Sequence, residues 1–304
     1  MKRSVWLLLL GVALSLRLMA NADTLLLKQH LQKITQTKNF RNYRHTDVLD
    51  SLASYIRSQL SLYADTVYYQ PYKIGERTFK NVVASFKGAS TKRIVVGAHY
   101  DVCEDQQGAD DNASGVAGLL ELARLLKVQK LDHTIELVAY TLEEPPFFRT
   151  EQMGSYIHAK SLHDARAEVY GMISLEMIGF FKNEKRTQSY PLGILKLFYG
   201  SRGNYITLVK KYGAGKFVRK FWKRFKHTKM IPTKKFAGPR ALPGVDFSDH
   251  LNYWEFGYSA LMITDTSFYR NKNYHEGGDT IETLDLNRMA QVVNAVLSTL
   301  LEVR

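Results

Sequence analysis

Short apolar runs alternate with helix-like patterns along most of this chain, and the alternation limits the folds that it can adopt. Several runs are rich in Val and Ile and have the length of buried strands. Strands that alternate with helices favour an α/β layer architecture with a mostly parallel central sheet. The predicted strands are 81–86, 93–98, 134–142, 170–177 and 259–264.

Apolar residues at helical spacing predict helices before, between and after these strands. Two helices are expected within 24–63, and Asp285 is expected to cap the last helix of the chain. The other predicted helices are 113–126, 153–162, 204–212, 248–256 and 286–303. Because the sequence has no internal repeat and no linker rich in Pro, Gly or Ser, we expect one domain over 23–304.

Residues 1–22 have the pattern of a secretory signal peptide. Two basic residues precede an apolar run over 5–16, and alanines at 20 and 22 suit cleavage before Asp23. We therefore expect an exported protein, periplasmic or secreted, with an uncleaved N-terminal membrane anchor as the alternative. The single cysteine, Cys103, suits export because it has no partner for mispairing, and it is expected to pack as a small apolar residue.

Positive charge is concentrated in one segment. The chain has 42 Lys and Arg against 29 Asp and Glu, a net charge of +13. Residues 182–240 hold 17 of the basic residues and one acid, Glu184, so the remainder is slightly acidic. We expect this basic segment to be an insertion or loop region whose part 210–235 forms a solvated helical face. Its alternating aromatic and basic residues leave open a weak contact with anionic membrane or envelope polymer, whereas no nucleic-acid partner is expected.

Imidazole and carboxylate side chains follow the predicted strands, at the edge where open α/β sheets carry their sites. Oxygen ligands with two imidazoles and no thiolate cluster suit Zn²⁺, with Mn²⁺ or Co²⁺ as substitutes. Two adjacent glutamates at the end of an apolar strand would be costly to bury unpaired, and a metal ion removes that cost. The candidate residues are His99, Asp101, Asp110, Asp111, Glu143, Glu144, Glu176 and His275.

Five motifs in this order resemble the co-catalytic zinc aminopeptidases of metallopeptidase family twenty-eight, which also contains the glutaminyl cyclases. The motifs are His99-Tyr100-Asp101, the loop Gly108-Ala109-Asp110-Asp111-Asn112-Ala113-Ser114-Gly115, Glu143-Glu144-Pro145, Leu175-Glu176-Met177 and Tyr274-His275. The resemblance runs from about residue 75 to the C-terminus. It implies a three-layer α/β sandwich of the zinc-exopeptidase type, with a mixed, mostly parallel sheet of about eight strands flanked by helices.

The resemblance also implies two Zn²⁺ ions per chain and a division of roles among the candidate residues. His99 and Glu176 would bind one ion, Glu144 and His275 would bind the other, and Asp111 would bridge the two. Asp101 would accept the second ring N–H of His99, and Glu143 would act as general base on the zinc-activated water. Strand alternation would turn the two adjacent glutamates to different sides.

These roles predict a metallo-aminopeptidase, a hydrolase that removes N-terminal residues from peptides with a free N-terminus. The alternatives are a glutaminyl-peptide cyclotransferase and a non-catalytic binding domain, both on the same fold. The complete ligand set, with His99 retained, favours the hydrolase. Asp249 is expected either to support the metal ligands or to cap a helix, and Glu276 to lie near the substrate entrance.

Overall fold

The computed structural model describes residues 21–304, so the predicted signal peptide lies outside the described residues except for Asn21 and Ala22. Within 21–304, eight strands form one sheet in the order β1-β2-β4-β3-β5-β8-β6-β7. The strands are β1 Thr66–Ile74, β2 Arg77–Phe86, β3 Ser90–His99, β4 His133–Tyr140, β5 Val169–Glu176, β6 Ile206–Lys211, β7 Thr233–Gly238 and β8 Ala260–Thr264.

The sheet is mixed, with its parallel strands at the centre. Strands β4, β3, β5 and β8 run parallel to one another, β2 pairs antiparallel with β1 and β4, and β6 pairs antiparallel with β8 and parallel with β7. The carboxyl ends of β4, β3 and β5 therefore meet at one edge. The predicted architecture, a mixed, mostly parallel sheet flanked by helices, is confirmed.

Helices cover both faces of the sheet, because the central strands are apolar on both. The helices are α1 Thr24–Thr35, α2 Thr46–Ser61, α3 Gly115–Leu126, α4 Gly154–Asp164, α5 Leu195–Tyr199, α6 Gly215–Thr228, α7 His250–Glu255 and α8 Leu286–Glu302. On β3, Ile94, Val96 and Ala98 pack on the face with α1, α2, α3, α6 and α8, whereas Val95 packs on the opposite face with α4 and α7. Asp285 caps α8, accepting the backbone N–H of Arg288 as predicted.

The helix predicted over 204–212 is wrong. These residues form β6, in which Thr207, Leu208 and Val209 pair with β8. Short apolar runs are compatible with either a helix or a strand, and here β-branched residues and two neighbouring strands favour the strand. The half-exposed edge strand β1 and the lysine-rich edge strand β7 had not been expected at all.

The basic segment supplies part of the sheet, since α5, β6, α6 and β7 all lie within 182–240. Phe221 and Phe225 are buried on the inner side of α6 and Trp222 is partly buried, while Lys223 and Arg224 face solvent. None of the helices among residues 21–304 is both long enough and apolar enough to cross a membrane.

Candidate active site

The five predicted ligands meet at the carboxyl edge of the sheet. His99 is the last residue of β3, Glu176 is the last residue of β5, and Glu144 follows β4. Asp111 comes from the irregular turn Ala109–Ser114 that leads into α3, and His275 comes from the loop before α8. Five separate segments therefore converge on one small volume.

Asp111 lies between two groups of ligands. Its Oδ1 is 3.4 Å from His99 Nε2, and that nitrogen is also 3.4 Å from Glu176 Oε2. Its Oδ2 is 3.3 Å from His275 Nε2, which is 3.2 Å from Glu144 Oε2. Each carboxylate oxygen of Asp111 thus faces a different imidazole and glutamate pair, which is the arrangement that a bridging ligand needs.

Several ligand atoms of the cluster are buried without a hydrogen-bond partner. These atoms are both ring nitrogens of His99, Oε1 of Glu144 and Nε2 of His275. Buried polar atoms are normally satisfied, so a set of orphaned nitrogen and oxygen atoms that face one another fits a cation. His99, Asp111 and Glu176 offer ligand atoms within 4.8 Å of one another. The donor set of imidazole nitrogens and carboxylate oxygens fits zinc.

The protonation preferences of the cluster also show that it favours positive charge. Burial raises the pKa of Glu144 to about 7, with the nearby Asp111 carboxylate adding to the rise. Burial alone would lower the pKa of His275, but Asp111 and Glu144 raise it well above its usual value. A glutamate and an imidazole that both hold a proton more tightly than usual, beside the charged carboxylate of Asp111, mark an excess of negative charge that a divalent cation can neutralise.

Glu143 lies close to His99 and Glu144, since one ligand atom of each of the three residues lies within 4.8 Å of the others. Its Oε2 is 3.9 Å from His99 Nε2, and burial raises its pKa well above the usual value. Strand alternation does not separate Glu143 from Glu144, because β4 ends at Tyr140 and both glutamates lie beyond it. Their backbone N–H groups instead donate to the two oxygens of Asp101, at 3.2 and 3.1 Å.

Asp101 therefore contacts two parts of the site. Its Oδ1 lies 3.5 Å from Nδ1 of His99, the ring nitrogen on the far side from Asp111. The same carboxylate fixes the turn that carries Glu143 and Glu144. Asp101 is thus placed to orient three side chains of the site, one imidazole and two carboxylates.

Two residues that the sequence did not reveal hold the turn that carries Asp111. Arg41 is buried, and its guanidinium donates to the carbonyl oxygens of Gln107, Gly108 and Asp111. Asp279 accepts the backbone N–H groups of Asp110 and Asp111 at 2.9 and 3.0 Å. Arg41 lies 70 residues before Asp111, so no local sequence pattern could have identified it.

Gly108 is required where this turn begins. Its φ of 55° lies in the left-handed region, and a Cβ atom there would lie 2.2 Å from the carbonyl oxygen of Asp111. Four residues with side chains at the site also have a left-handed backbone, namely Leu142 before Glu143, Met177 after Glu176, Ser267 at the mouth of the cluster, and His275. Such conformations concentrate at functional sites.

Ser248 and Asp249 lie behind the ligands. The hydroxyl of Ser248 donates to Glu176 Oε2 at 2.7 Å and so fixes that carboxylate. Asp249 stands at the N-cap position of α7 but makes no capping hydrogen bond, so of its two expected roles capping is not adopted. Burial raises the pKa of Asp249 to about 7.

An apolar pocket adjoins the ligand cluster. The mouth of the cluster is lined by Glu143, Phe148, Phe247, Ser267 and Tyr274 together with the ligands. Behind Glu176 and Phe247 a second, mostly apolar cavity continues between the sheet and the loops that follow β5 and β8. Its further lining residues include Tyr190, Tyr199, Tyr205, Val209, Phe236, Met262, Phe268 and Tyr269.

The chain is similar in sequence to a known protein family and to several known proteins. Residues 81–300 match the model of peptidase family M28. The uncharacterized protein YfbL of Escherichia coli K12 is 41% identical over 282 residues, covering 90% of this chain and 86% of that protein. Leucine aminopeptidase 1 of Ajellomyces dermatitidis is 26% identical over 226 residues, covering 69% of this chain and 52% of that protein. This chain thus spans about half of that relative's length.

Solved structures share the fold at low sequence identity. LapB from Legionella pneumophila aligns with a TM-score of 0.72 and 21% identity, covering 92% of this chain and 72% of that one. Glutaminyl cyclase from Tannerella forsythia aligns with a TM-score of 0.68 and 19% identity, covering 94% and 100%. The chain belongs to peptidase family M28, and the resemblance inferred from its motifs is confirmed.

Proposed function

We propose that this protein is an aminopeptidase that uses two zinc ions. The observation that carries the proposal is Asp111, whose two oxygens face two separate pairs of ligands. His99 and Glu176 would hold one ion, and Glu144 and His275 the other. Zinc at such a site polarises a carbonyl group and makes water more acidic.

Glu143 is the proposed general base. It lies beside the ligands at the mouth of the cluster, where a water molecule and a peptide carbonyl can both reach it. In this role it takes a proton from the attacking water and returns it to the amine that leaves. Asp101 would support the reaction indirectly, because it positions His99 and the turn that carries both glutamates.

The apolar pocket supports a preference for peptides that begin with a large apolar or aromatic residue. Its surface, as formed by residues 21–304, is mostly apolar and carries seven aromatic rings, so it can bury such a side chain, and its one charged lining residue, Glu176, is a proposed metal ligand. Several similar curated proteins are named leucine aminopeptidases, which is consistent with this preference.

We also propose that the protein is exported. The apolar run and small residues within 1–22 have the pattern of a signal peptide, which would deliver the enzyme to the periplasm or the medium. The expected substrates are then peptides with a free N-terminus in that compartment. The basic surface of α6 is proposed to be a solvated structural face.

The function can be tested with purified protein that has been depleted of metal and reloaded with zinc. We expect two zinc ions per chain, and hydrolysis of Leu and Phe amides with a higher kcat/KM than of Asp or Lys amides. N-acetylated versions of the same substrates should not react, because an aminopeptidase requires the free amine.

A peptide with N-terminal glutamine separates the hydrolase from a cyclase on the same fold. Release of ammonia with formation of pyroglutamate, without hydrolysis of the Leu and Phe amides, would identify a cyclase and overturn the proposal. Absence of bound metal together with absence of both reactions would instead favour a binding domain.

A further inference from the structure

Cys103, the single cysteine of the chain, lies beside the second group of ligands. Its sulfur and one ligand atom each of Glu144 and His275 lie within 4.8 Å of one another. The residue is on the loop that follows β3, four positions after His99, and it is almost completely buried. A thiol that only filled space would not need to face a carboxylate and an imidazole.

Glu144 and His275 each have a buried atom that no hydrogen bond satisfies and that a cation could contact. Glu144 is 4% exposed, yet its Oε1 has no hydrogen-bond partner, and the same holds for Nε2 of His275. These orphaned atoms belong to the two residues that Cys103 faces. Thiolate sulfur, imidazole nitrogen and carboxylate oxygen are each donor types that bind zinc in proteins.

We propose that Cys103 is a thiolate ligand of the metal ion held by Glu144 and His275, a role that rests on the proposed metal centre. On binding, a sulfur–metal bond forms, the S–H bond breaks, and its proton leaves to solvent. The site with His99 and Glu176 would keep only nitrogen and oxygen donors. The two sites of one enzyme would then differ in softness, and the site with Cys103 would prefer Zn²⁺ or Cd²⁺ over Mn²⁺.

Substitution with Co²⁺ tests the proposal directly. The cobalt protein should show a sulfur-to-cobalt charge-transfer band in the near ultraviolet, in addition to visible ligand-field bands. In Cys103→Ser the charge-transfer band should disappear while the ligand-field bands remain. The preference for Cd²⁺ over Mn²⁺ at one of the two sites should fall in the same variant.

Alkylation of the thiol in the unmodified protein gives a second measurement that does not depend on a variant that folds. With zinc at about 100 times its Kd, about one site in a hundred is free, so alkylation by iodoacetamide should slow about 100-fold relative to metal-free protein. Mn²⁺ at a concentration that fills only the site with His99 and Glu176 should leave the rate of alkylation unchanged.

The cobalt spectra distinguish a failure of the Cys103 ligand from a failure of the proposed metal centre. Ligand-field bands without a charge-transfer band in the wild-type cobalt protein would overturn the role of Cys103 and leave the metal centre intact. Absence of every cobalt band would overturn both. A charge-transfer band that persists in Cys103→Ser would also contradict the assignment.

Discussion

At the scale of single residues, the site depends on one carboxylate that serves both halves. The two oxygens of Asp111 lie 3.4 and 3.3 Å from the two imidazoles. The two imidazoles hold the pKa of Asp111 below its usual value although burial opposes this, so the carboxylate remains charged.

Asp111→Ala should therefore lose metal from both halves of the site. We expect zinc content to fall from two ions per chain to less than one after dialysis, with loss of activity, because each ion loses a ligand and the two imidazoles lose their shared counter-charge. Metal analysis of purified protein is the measurement. Asp105→Ala, at a mostly exposed acid, is the matched control and should retain both ions. Two tightly bound zinc ions in Asp111→Ala would rule out the bridge.

Arg41 shows how the turn that carries Asp111 is held from a distance. Its guanidinium donates hydrogen bonds to three backbone carbonyls at this turn. Burial lowers the pKa of Arg41 to about 10, which still leaves it charged at neutral pH. The nearby carboxylates of Asp111 and Asp279 support that charge.

Arg41→Met should lower the free energy of unfolding by about 3–5 kcal/mol, the usual cost of removing one partner from a buried charged network. Denaturant unfolding measures it. Arg44→Met is the control, since Arg44 forms an exposed ion pair with Asp105, and it should cost about 0–1 kcal/mol. Equal effects of the two substitutions would contradict the role assigned to Arg41.

At the scale of secondary-structure elements, the sequence predicted correctly those strands and ligands that leave a local pattern. Apolar runs identified β2, β3, β4, β5 and β8, and motifs at their ends identified the ligands that the structure brings together. The strand β6 was mistaken for a helix because four consecutive apolar or β-branched residues fit both, and only pairing with β7 and β8 decides.

Other features depend on contacts between distant segments and so left no local pattern. The edge strand β1 is half exposed, so it has no continuous apolar run. Strand β7 carries Lys234 and Lys235, so its sequence resembles that of a solvated loop. Lysines on an edge strand also discourage pairing with another chain. Strand alternation was expected to turn Glu143 and Glu144 to different sides, but both lie beyond the end of β4, and hydrogen bonds that both backbones donate to Asp101 fix the turn that carries them.

The start of α1 gives a prediction about processing. Backbone nitrogen of Asp23 donates to Glu121 Oε1 at 2.6 Å, and Glu121 is completely buried with Arg124 as its other partner. If the leader is removed before Asp23, the new α-amine would be placed on that carboxylate as a charged donor. We expect N-terminal sequencing of exported protein to begin at Asp23.

The same contact predicts a measurable contribution to stability. In the processed protein, Glu121→Gln should lower the free energy of unfolding by about 1.5–3 kcal/mol, as expected for a hydrogen bond between charged groups. Glu302→Gln is the control, because Glu302 is exposed and pairs with Arg224 at 3.4 Å, and it should cost less than about 1 kcal/mol. An N-terminus at Met1 would favour the uncleaved anchor instead.

At the scale of the whole molecule, charge is distributed unevenly. The basic segment 182–240 has a net charge of +16, whereas the whole chain has +13, so the rest of the molecule is slightly acidic. Much of the charge lies on the outer side of α6 and on β7, at the far edge of the sheet from β1. Lys220 and Arg224 contact the C-terminal residues Arg304 and Glu302 at the surface.

Reversal of charge at Lys223 and Arg224 should leave kcat/KM unchanged on both neutral and acidic peptides. The two side chains are exposed on α6 and line neither the ligand cluster nor the apolar pocket. The assay compares low and physiological salt, since a field that steers substrates would be screened over about 8–10 Å. A several-fold, salt-sensitive loss on acidic peptides, or co-sedimentation of wild-type protein with anionic vesicles, would show that this face acts on a partner.

Glu143→Gln separates metal binding from base catalysis in the proposed metal centre. The substitution keeps the shape of the side chain and removes no proposed ligand, so the variant should retain two zinc ions while kcat falls about 10²–10⁴-fold. Glu76→Gln, at an exposed turn, is the control and should match wild type in both measurements. A Glu143→Gln protein with both metals and near wild-type kcat would contradict the account.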